Sequence, residues 1–228
     1  MTKGIFITGT DTGVGKTFIA EGLIRAMRKR GTSVCPMKPV ETGCPVKEGM
    51  LVPGDALRLM KASGIQEPLN LINPYRFRRP LAPAVAAGAD GVRIRKGNII
   101  SAYHLLSRRY SRVLIEGAGG IMVPLSGRYL FLDLVTDLGV PVLIVARPGL
   151  GTVNHTLLTV DALRHKGALV IGVVLNAAVP LGRDPSVKDN PAVIEKLGRV
   201  PVLGVVPHGR TMAGHCLSRV LEAIEGLM

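Results

Sequence analysis

The sequence contains no Trp and only four Tyr and four Phe, so it offers few flat rings on which nucleic-acid bases could stack. Its three cysteines, Cys35, Cys44 and Cys216, make no CxxC pair and no cluster with metal-ligand spacing. That excludes a disulfide scaffold or zinc knuckle and fits thiols kept in a reducing compartment. No apolar run is long enough to cross a bilayer, and Met1-Thr2-Lys3 leads straight into the first apolar run without a secretory signal pattern. A cytoplasmic protein with no membrane partner is expected. Internal repeats, low-complexity tracts and linker-like stretches are also lacking, so residues 1–228 are expected to form a single domain. A chain of this size buries about 70% of its unfolded surface without help from metals or disulfides. Acidic residues are scarce, 16 against 29 Lys and Arg, for a formal net charge of +13. These cations are scattered rather than gathered in one stripe. With so few aromatics, the charge is read as attraction of polyanionic ligands rather than as a nucleic-acid interface.

What is present begins with GTDTGVGKT, Gly9 to Thr17, which follows the apolar run Ile5-Phe6-Ile7 and opens a helix-patterned segment near Lys16. Glycines at 13 and 15 let the backbone curl until several N–H groups point at one anion, and the following helix aims its positive end at the same point. Lys16 then reaches β and γ phosphates, and the Thr17 hydroxyl is placed for Mg²⁺. The strict pattern GxxxxGK[ST] wants glycine at position 10, where this chain has Thr10, with glycine one place earlier. Strand, loop and helix context carry the reading over that mismatch.

Apolar runs rich in β-branched residues recur at Ile5–Ile7, Val34–Met37, Val113–Ile115, Val142–Val145, Val170–Leu175 and Val202–Val206, each short enough for a buried parallel strand. Between them the spacing predicts helices from Lys16 to a stop at Gly31, and over Asp55–Ala62, Lys96–Arg109, Val153–His165, Asn190–Leu197 and Gly214–Gly226. Strand and helix alternate, which predicts an α/β fold: a mainly parallel sheet covered by helices on both faces. The stretch 41–90, divided by Pro45, Pro53, Pro68, Pro74, Pro80 and Pro83, is the least regular and is expected to supply substrate-facing loops.

In such sheets ligands sit beyond the carboxyl ends of the strands, so residues just after each apolar run should converge on one crevice. After the second strand, MKPVETG brings Lys38 and Thr42. A second cation there would neutralise a transferring phosphoryl group, unless Lys38 is merely a solvated loop residue. After the third, LIEGAGG places Glu116 at the end of a buried run as a Mg²⁺ ligand, with Gly117, Ala118, Gly119 and Gly120 allowing close approach or simply making a tight turn. Asp55 offers a third oxygen or caps the helix it begins. RPGLGTVNHT, Arg147 to Thr156, presents glycine-flanked N–H groups suited to a carboxylate. Within it, Asn154 and His155 are either substrate contacts or first-turn polar residues. No nucleophile and acid accompany His155 as a hydrolase triad requires. Asn176 and the turn VVPHG, Val205 to Gly209, end the last two strands where a base would bind. The asparagine amide matches the mixed edge of adenine, and Pro207 either covers the ring or simply forms the loop.

Taken in order, GTDTGVGKT, KPVETG, Gly54-Asp55, EGAGG, RPGLGTVNHT and Asn176 resemble the dethiobiotin synthetase family along nearly the whole chain. That family lies within the P-loop NTPase proteins related to partitioning ATPases. The resemblance implies ATP-dependent closure of a cyclic urea from 7,8-diaminononanoate and CO₂ (bicarbonate), with ATP and Mg²⁺ as cofactors. By the same resemblance Lys16, Lys38 and Thr12 serve the chemistry, and Thr17, Asp55 and Glu116 hold the metal. Gly13, Val14, Gly15, Lys16, Thr17 and Phe18 hold the nucleotide with Asp55, Glu116, Gly117, Ala118, Gly119, Asn176, Val206, Pro207 and His208. Substrate falls to Thr42 and to the helix start Gly151, Thr152, Val153 and Asn154. In the family that helix start comes from the neighbouring subunit, which implies a homodimer. Thr42 departs from the serine of many relatives but keeps the hydroxyl, and the acidic and tyrosine-bearing substrate loops of some relatives are not recognisable around Pro180 to Asn190, so no residue there is assigned.

The alternative is a partitioning or cell-division type ATPase that switches with its nucleotide. It would share the fold, but such proteins carry a signature lysine early in the phosphate loop where this chain has Asp11, and the amphipathic tail LSRVLEAIEGLM is short for a membrane helix. A cobyrinate-type amide synthase would need a glutamine-hydrolysing domain for which this length leaves no room.

Overall fold

The computed structural model describes residues 3–210, Met212 and residues 214–227. Six strands build the central sheet: β1 (Gly4–Gly9), β2 (Val34–Met37), β3 (Arg112–Gly120), β4 (Val142–Ala146), β5 (Val170–Asn176) and β6 (Val202–Val206). They lie in the order β6-β5-β4-β1-β3-β2, and every pairing is parallel. All six expected strands therefore form. Because side chains alternate along a strand, neighbours feed opposite faces. Phe6, Ile115 and Ile144 pack into one core layer, while Ile5, Ile7, Leu114 and Leu143 pack into the other.

The helices are α1 (Lys16–Lys29), α2 (Gly54–Ser63), α3 (Leu69–Ile72), α4 (Pro83–Ala89), α5 (Lys96–Arg109), α6 (Phe131–Leu138), α7 (Thr152–His165), α8 (Ser186–Gly198) and α9 (Gly214–Glu225). Apolar stripes of α1 and α9, with Leu59 and Ala62 of α2, cover one face of the sheet, and α5, α6 and α7 cover the other. The fold is α/β, a parallel sheet covered by helices on both faces, as expected. No described helix is long and apolar enough to cross a membrane.

Three regions differ from the expected pattern. The proline-divided stretch is ordered: Val40–Thr42 pairs in parallel with Tyr75–Phe77, Val46–Lys47 and Met50–Leu51 make a small antiparallel pair, and α2, α3 and α4 fill the remainder. Pro83 helps here by standing in the first turn of α4, where its missing N–H is harmless. Helix α6 has no counterpart among the expected elements. It starts where the Asp133 carboxylate accepts the Leu130 N–H at 2.9 Å. Helix α8 begins at Ser186, four residues before its expected start at Asn190, because the Asp184 carboxylate accepts both the N–H and the hydroxyl of Ser186. Pro191 therefore lies inside the helix instead of opening it.

Candidate functional site

The loop after β1 and the first turn of α1 form the floor of the site. Gly15 caps α1 in a left-handed conformation (φ 91°), and no side chain caps that end, so its N–H groups are left for a ligand. Lys16 folds back over the loop and donates from Nζ to the Asp11 carbonyl at 3.0 Å. A Cβ built on Gly9 would stand 2.8 Å from that Nζ and 2.7 Å from the Asp11 carbonyl oxygen. The glycine one place earlier than the strict motif thus has a steric cause. Arg147, just after β4, pairs with Asp11 at 2.5 Å and ties the loop to the neighbouring strand end. Burial, reinforced by the nearby Lys38 charge, lowers the pKa of Lys16 to about 8 against the pull of Glu116, Asp55 and Asp11.

Lys38 stands at the centre of a buried ion cluster. It is 3% exposed, and its Nζ donates to Glu116 Oε1 at 2.5 Å, to Asp55 Oδ2 at 3.0 Å and to the Gly117 carbonyl at 3.4 Å. Thr17 Oγ1 donates to the same Glu116 Oε1 at 2.8 Å, joining the phosphate loop to the cluster. Burial alone would lower the Lys38 pKa, but the Glu116 and Asp55 carboxylates outweigh it and hold Lys38 above the ordinary lysine value. Burial likewise disfavours the Asp55 charge, yet Lys38 and the Thr17 hydroxyl bring that carboxyl below its usual value. Glu116 is 1% exposed, and its second oxygen, Oε2, is buried without a protein partner. Among the described residues no three His, Cys, Asp or Glu side chains are placed to hold a metal by themselves. One hydroxyl and two carboxylates with a free hard oxygen are nonetheless the donor set that suits Mg²⁺, which takes few protein oxygens and completes its shell with phosphate and water.

A cleft of about 540 Å³ opens over these groups. It is lined by Thr12, Gly13, Gly15, Lys16, Thr17, Phe18, Lys38, Thr42, Asp55, Glu116, Ala118 and Gly119, so most of the expected site residues meet in one place. Beside it lies a second cleft of about 370 Å³, lined by Gly15, Phe18, Asn176, Pro207 and His208 among others. Asn176 Nδ2 donates to the Val14 carbonyl at 2.9 Å, and a Cβ on Gly15 would stand 2.1 Å from that nitrogen. Asn176 therefore braces the phosphate loop with its amide nitrogen. Val14 and Val206 point into the core, so any role in the site falls to their backbone.

Gly151, Thr152, Val153 and Asn154 line neither cleft. Their helix start is braced from within the chain: the Asp184 carboxylate accepts the Leu150 N–H at 2.8 Å, and Asn190 Nδ2 donates to the Pro148 carbonyl at 2.8 Å. Leu150 is 83% exposed at the tip of that loop.

Residue-by-residue reading of the sequence missed three groups at the site. Glu41 and Arg58 line the larger cleft, and buried Asn73 donates to the Lys38 carbonyl at 2.7 Å. The signal for Glu41 was indirect: Pro53 stands before α2 and has no side-chain acceptor, which leaves that helix start open to a cap from elsewhere in the chain.

Comparison with known proteins gives consistent results. Residues 3–215 match the AAA domain family. The ATP-dependent dethiobiotin synthetase BioD of Thermodesulfovibrio yellowstonii is 41% identical over 215 residues, covering 91% of this chain and 90% of that protein. That of Anaeromyxobacter dehalogenans (strain 2CP-C) is 48% identical over 205 residues, 90% of each, and that of Methanocaldococcus jannaschii 39% over 206, covering 89% of this chain and 92% of its own. Among solved structures, the cell division ATPase MinD of Pyrococcus furiosus superposes with a TM-score of 0.58 at 18% identity over 100% of both chains. Apo McdA from Cyanthece gives 0.60 at 12% identity over 98% of this chain and 100% of its own. These two likenesses are of fold alone.

Proposed function

Because this chain belongs to the ATP-dependent dethiobiotin synthetase family, we propose that it closes the cyclic urea of dethiobiotin from 7,8-diaminononanoate, CO₂ and ATP. The observation that carries the reading is the pair of ammonium groups in one cleft: Lys16 on the phosphate loop, and Lys38 wired through Glu116 to the Thr17 hydroxyl. A switch ATPase of the partitioning kind has the first and carries its other lysine early in the phosphate loop, where this chain has Asp11. The second, set among carboxylates, suits a reaction whose intermediates are all anionic at the reacting end.

The uncapped start of α1 and Lys16 would hold the triphosphate, and phosphate oxygens close to Lys16 would raise its pKa back toward the ordinary lysine value. Lys38 would stabilise the carbamate formed when a substrate amine adds CO₂. It would keep that oxygen against the γ-phosphorus while the phosphoryl group moves to give a carbamic-phosphoric anhydride. The second amine then displaces phosphate and closes the ring. Thr12 and Thr42, both facing the cleft, would hydrogen-bond the amines or the carbamate. Thr17, Asp55 and Glu116 would hold Mg²⁺, which when bound neutralises charge on the phosphate oxygens. Asn176, Pro207 and His208 would surround the base in the smaller cleft. The 151–154 helix start lines neither of these two clefts; the exposure of Gly151 and Asn154 supports a role in the site of a second copy, whereas Thr152 is fully buried.

The test is to supply ¹³C-bicarbonate, ATP, Mg²⁺ and the diamine. We expect label in a ureido carbon and ADP release that depends on the diamine. ATP hydrolysis indifferent to the diamine, with no labelled urea, would overturn the reading in favour of a nucleotide switch.

A further inference from the structure

The first turn of α2 has no side-chain cap of its own, since Pro53 precedes it. The Glu41 carboxylate supplies one from another part of the chain: Oε1 accepts the Asp55 N–H at 2.9 Å and Oε2 accepts the Ala56 N–H at 3.0 Å. An anion placed there satisfies two of the orphaned donors and opposes the positive end of the helix. Glu41 is buried and lies in the strand Val40–Thr42, which its pairing with Tyr75–Phe77 holds in register. Three residues earlier in the same segment stands Lys38, whose Nζ meets Asp55 Oδ2 at 3.0 Å. One closed circuit results: Lys38 to Asp55 through an ion pair, Asp55 to Glu41 through its own amide, and Glu41 back to Lys38 along the chain.

We propose that Glu41 is a positioning residue, clamping the first turn of α2 to the Lys38 segment and so holding the Asp55 carboxylate where Lys38 and a Mg²⁺-nucleotide meet it. Glu41 also faces the cleft and could instead greet an ammonium of the diamine. Both its oxygens already accept backbone N–H groups, and that geometry favours the clamp. The inference rests on reading the cleft as a Mg²⁺-nucleotide site.

The test is calorimetric binding of a non-hydrolysable ATP analogue to the whole chain, with and without Mg²⁺. Glu41→Ala and Glu41→Gln are each placed in the wild-type and the Asp55→Ala background. In the presence of Mg²⁺ we expect Glu41→Ala to weaken binding about tenfold, and Glu41→Gln, which keeps one acceptor, to weaken it less. Without Mg²⁺ both should bind as the wild type does. In the Asp55→Ala background the further loss should be under about twofold, because the residue acts through Asp55. Equal losses in both backgrounds, equal losses with and without Mg²⁺, or no loss at all would overturn the proposal. So would a raised KM for the diamine with Mg²⁺-nucleotide binding unchanged. If Glu41→Ala does not fold, as read by its thermal melt, Glu41→Gln carries the same comparison. A wild-type chain that binds the analogue indifferently to Mg²⁺ would remove the functional reading itself.

Discussion

Lys16, at the end of the phosphate loop, and Lys38, after β2, face one cleft, but their surroundings act on them in opposite senses. Lys16 is buried against a carbonyl and a second cation, and its pKa falls to about 8. Lys38 is buried against two carboxylates, and its pKa rises. The phosphate loop thus keeps an uncompensated positive charge that an anionic ligand must complete, whereas the Lys38 segment is neutralised by the protein before any ligand arrives. Nucleotide binding should depend on the first, and the protein's own stability on the second.

The largest effect is expected from Lys38→Met. Turnover should fall by about three orders of magnitude in single-turnover experiments while nucleotide affinity stays close to wild type. Stability measured by urea unfolding should fall by about 3 kcal/mol, because Glu116 is left buried without its partner. Lys16→Met should do the opposite to the ligand-free protein. Below pH 8 the folded chain keeps a proton on a buried ammonium at a cost. Between about pH 8 and the ordinary lysine value of 10.5 the unfolded chain still holds a proton that the folded chain has released, so stability rises with pH across that window. Lys16→Met should therefore stabilise the ligand-free chain by about 2 kcal/mol at pH 7, the gain shrinking to nothing by about pH 10.5, while weakening nucleotide binding about a hundredfold. If both methionine variants shift unfolding in the same direction, the contrast is wrong. The smallest effect belongs to Asn176→Ala, which removes the hydrogen bond to the Val14 carbonyl. It should cost about 1 kcal/mol of stability and weaken nucleotide binding about fivefold, without altering the destabilisation caused by Lys38→Met.

The six strands were legible in the sequence because each contains a short apolar run, most of them rich in β-branched residues and largely buried, and the residues that follow them had to meet at one edge. That reasoning located Lys16, Lys38 and Glu116, whereas Asp55 stood out as an oxygen at a helix start. It missed α6, where Phe131-Leu132-Asp133-Leu134-Val135 reads as an unbroken apolar run with one acid, and the deciding feature is a backbone hydrogen bond to Asp133. It started α8 too late, because Pro191 suggests a first turn while the Asp184 cap acts from farther upstream. Glu41 escaped for a different reason: a helix cap donated across 14 residues of chain leaves no local pattern.

Gly9 carries a lesson for recognising such loops by text. Its hydrogen in place of a side chain is dictated by the Asp11 carbonyl oxygen, 2.7 Å from where a Cβ would stand, together with the Lys16 ammonium that this carbonyl holds, a constraint in space rather than in spacing. A relative whose loop takes a longer or shorter route to the same resting point would slide its glycine along the chain accordingly. Searches that fix the interval between glycine and lysine will therefore overlook proteins in which the same ammonium comes to rest in the same place.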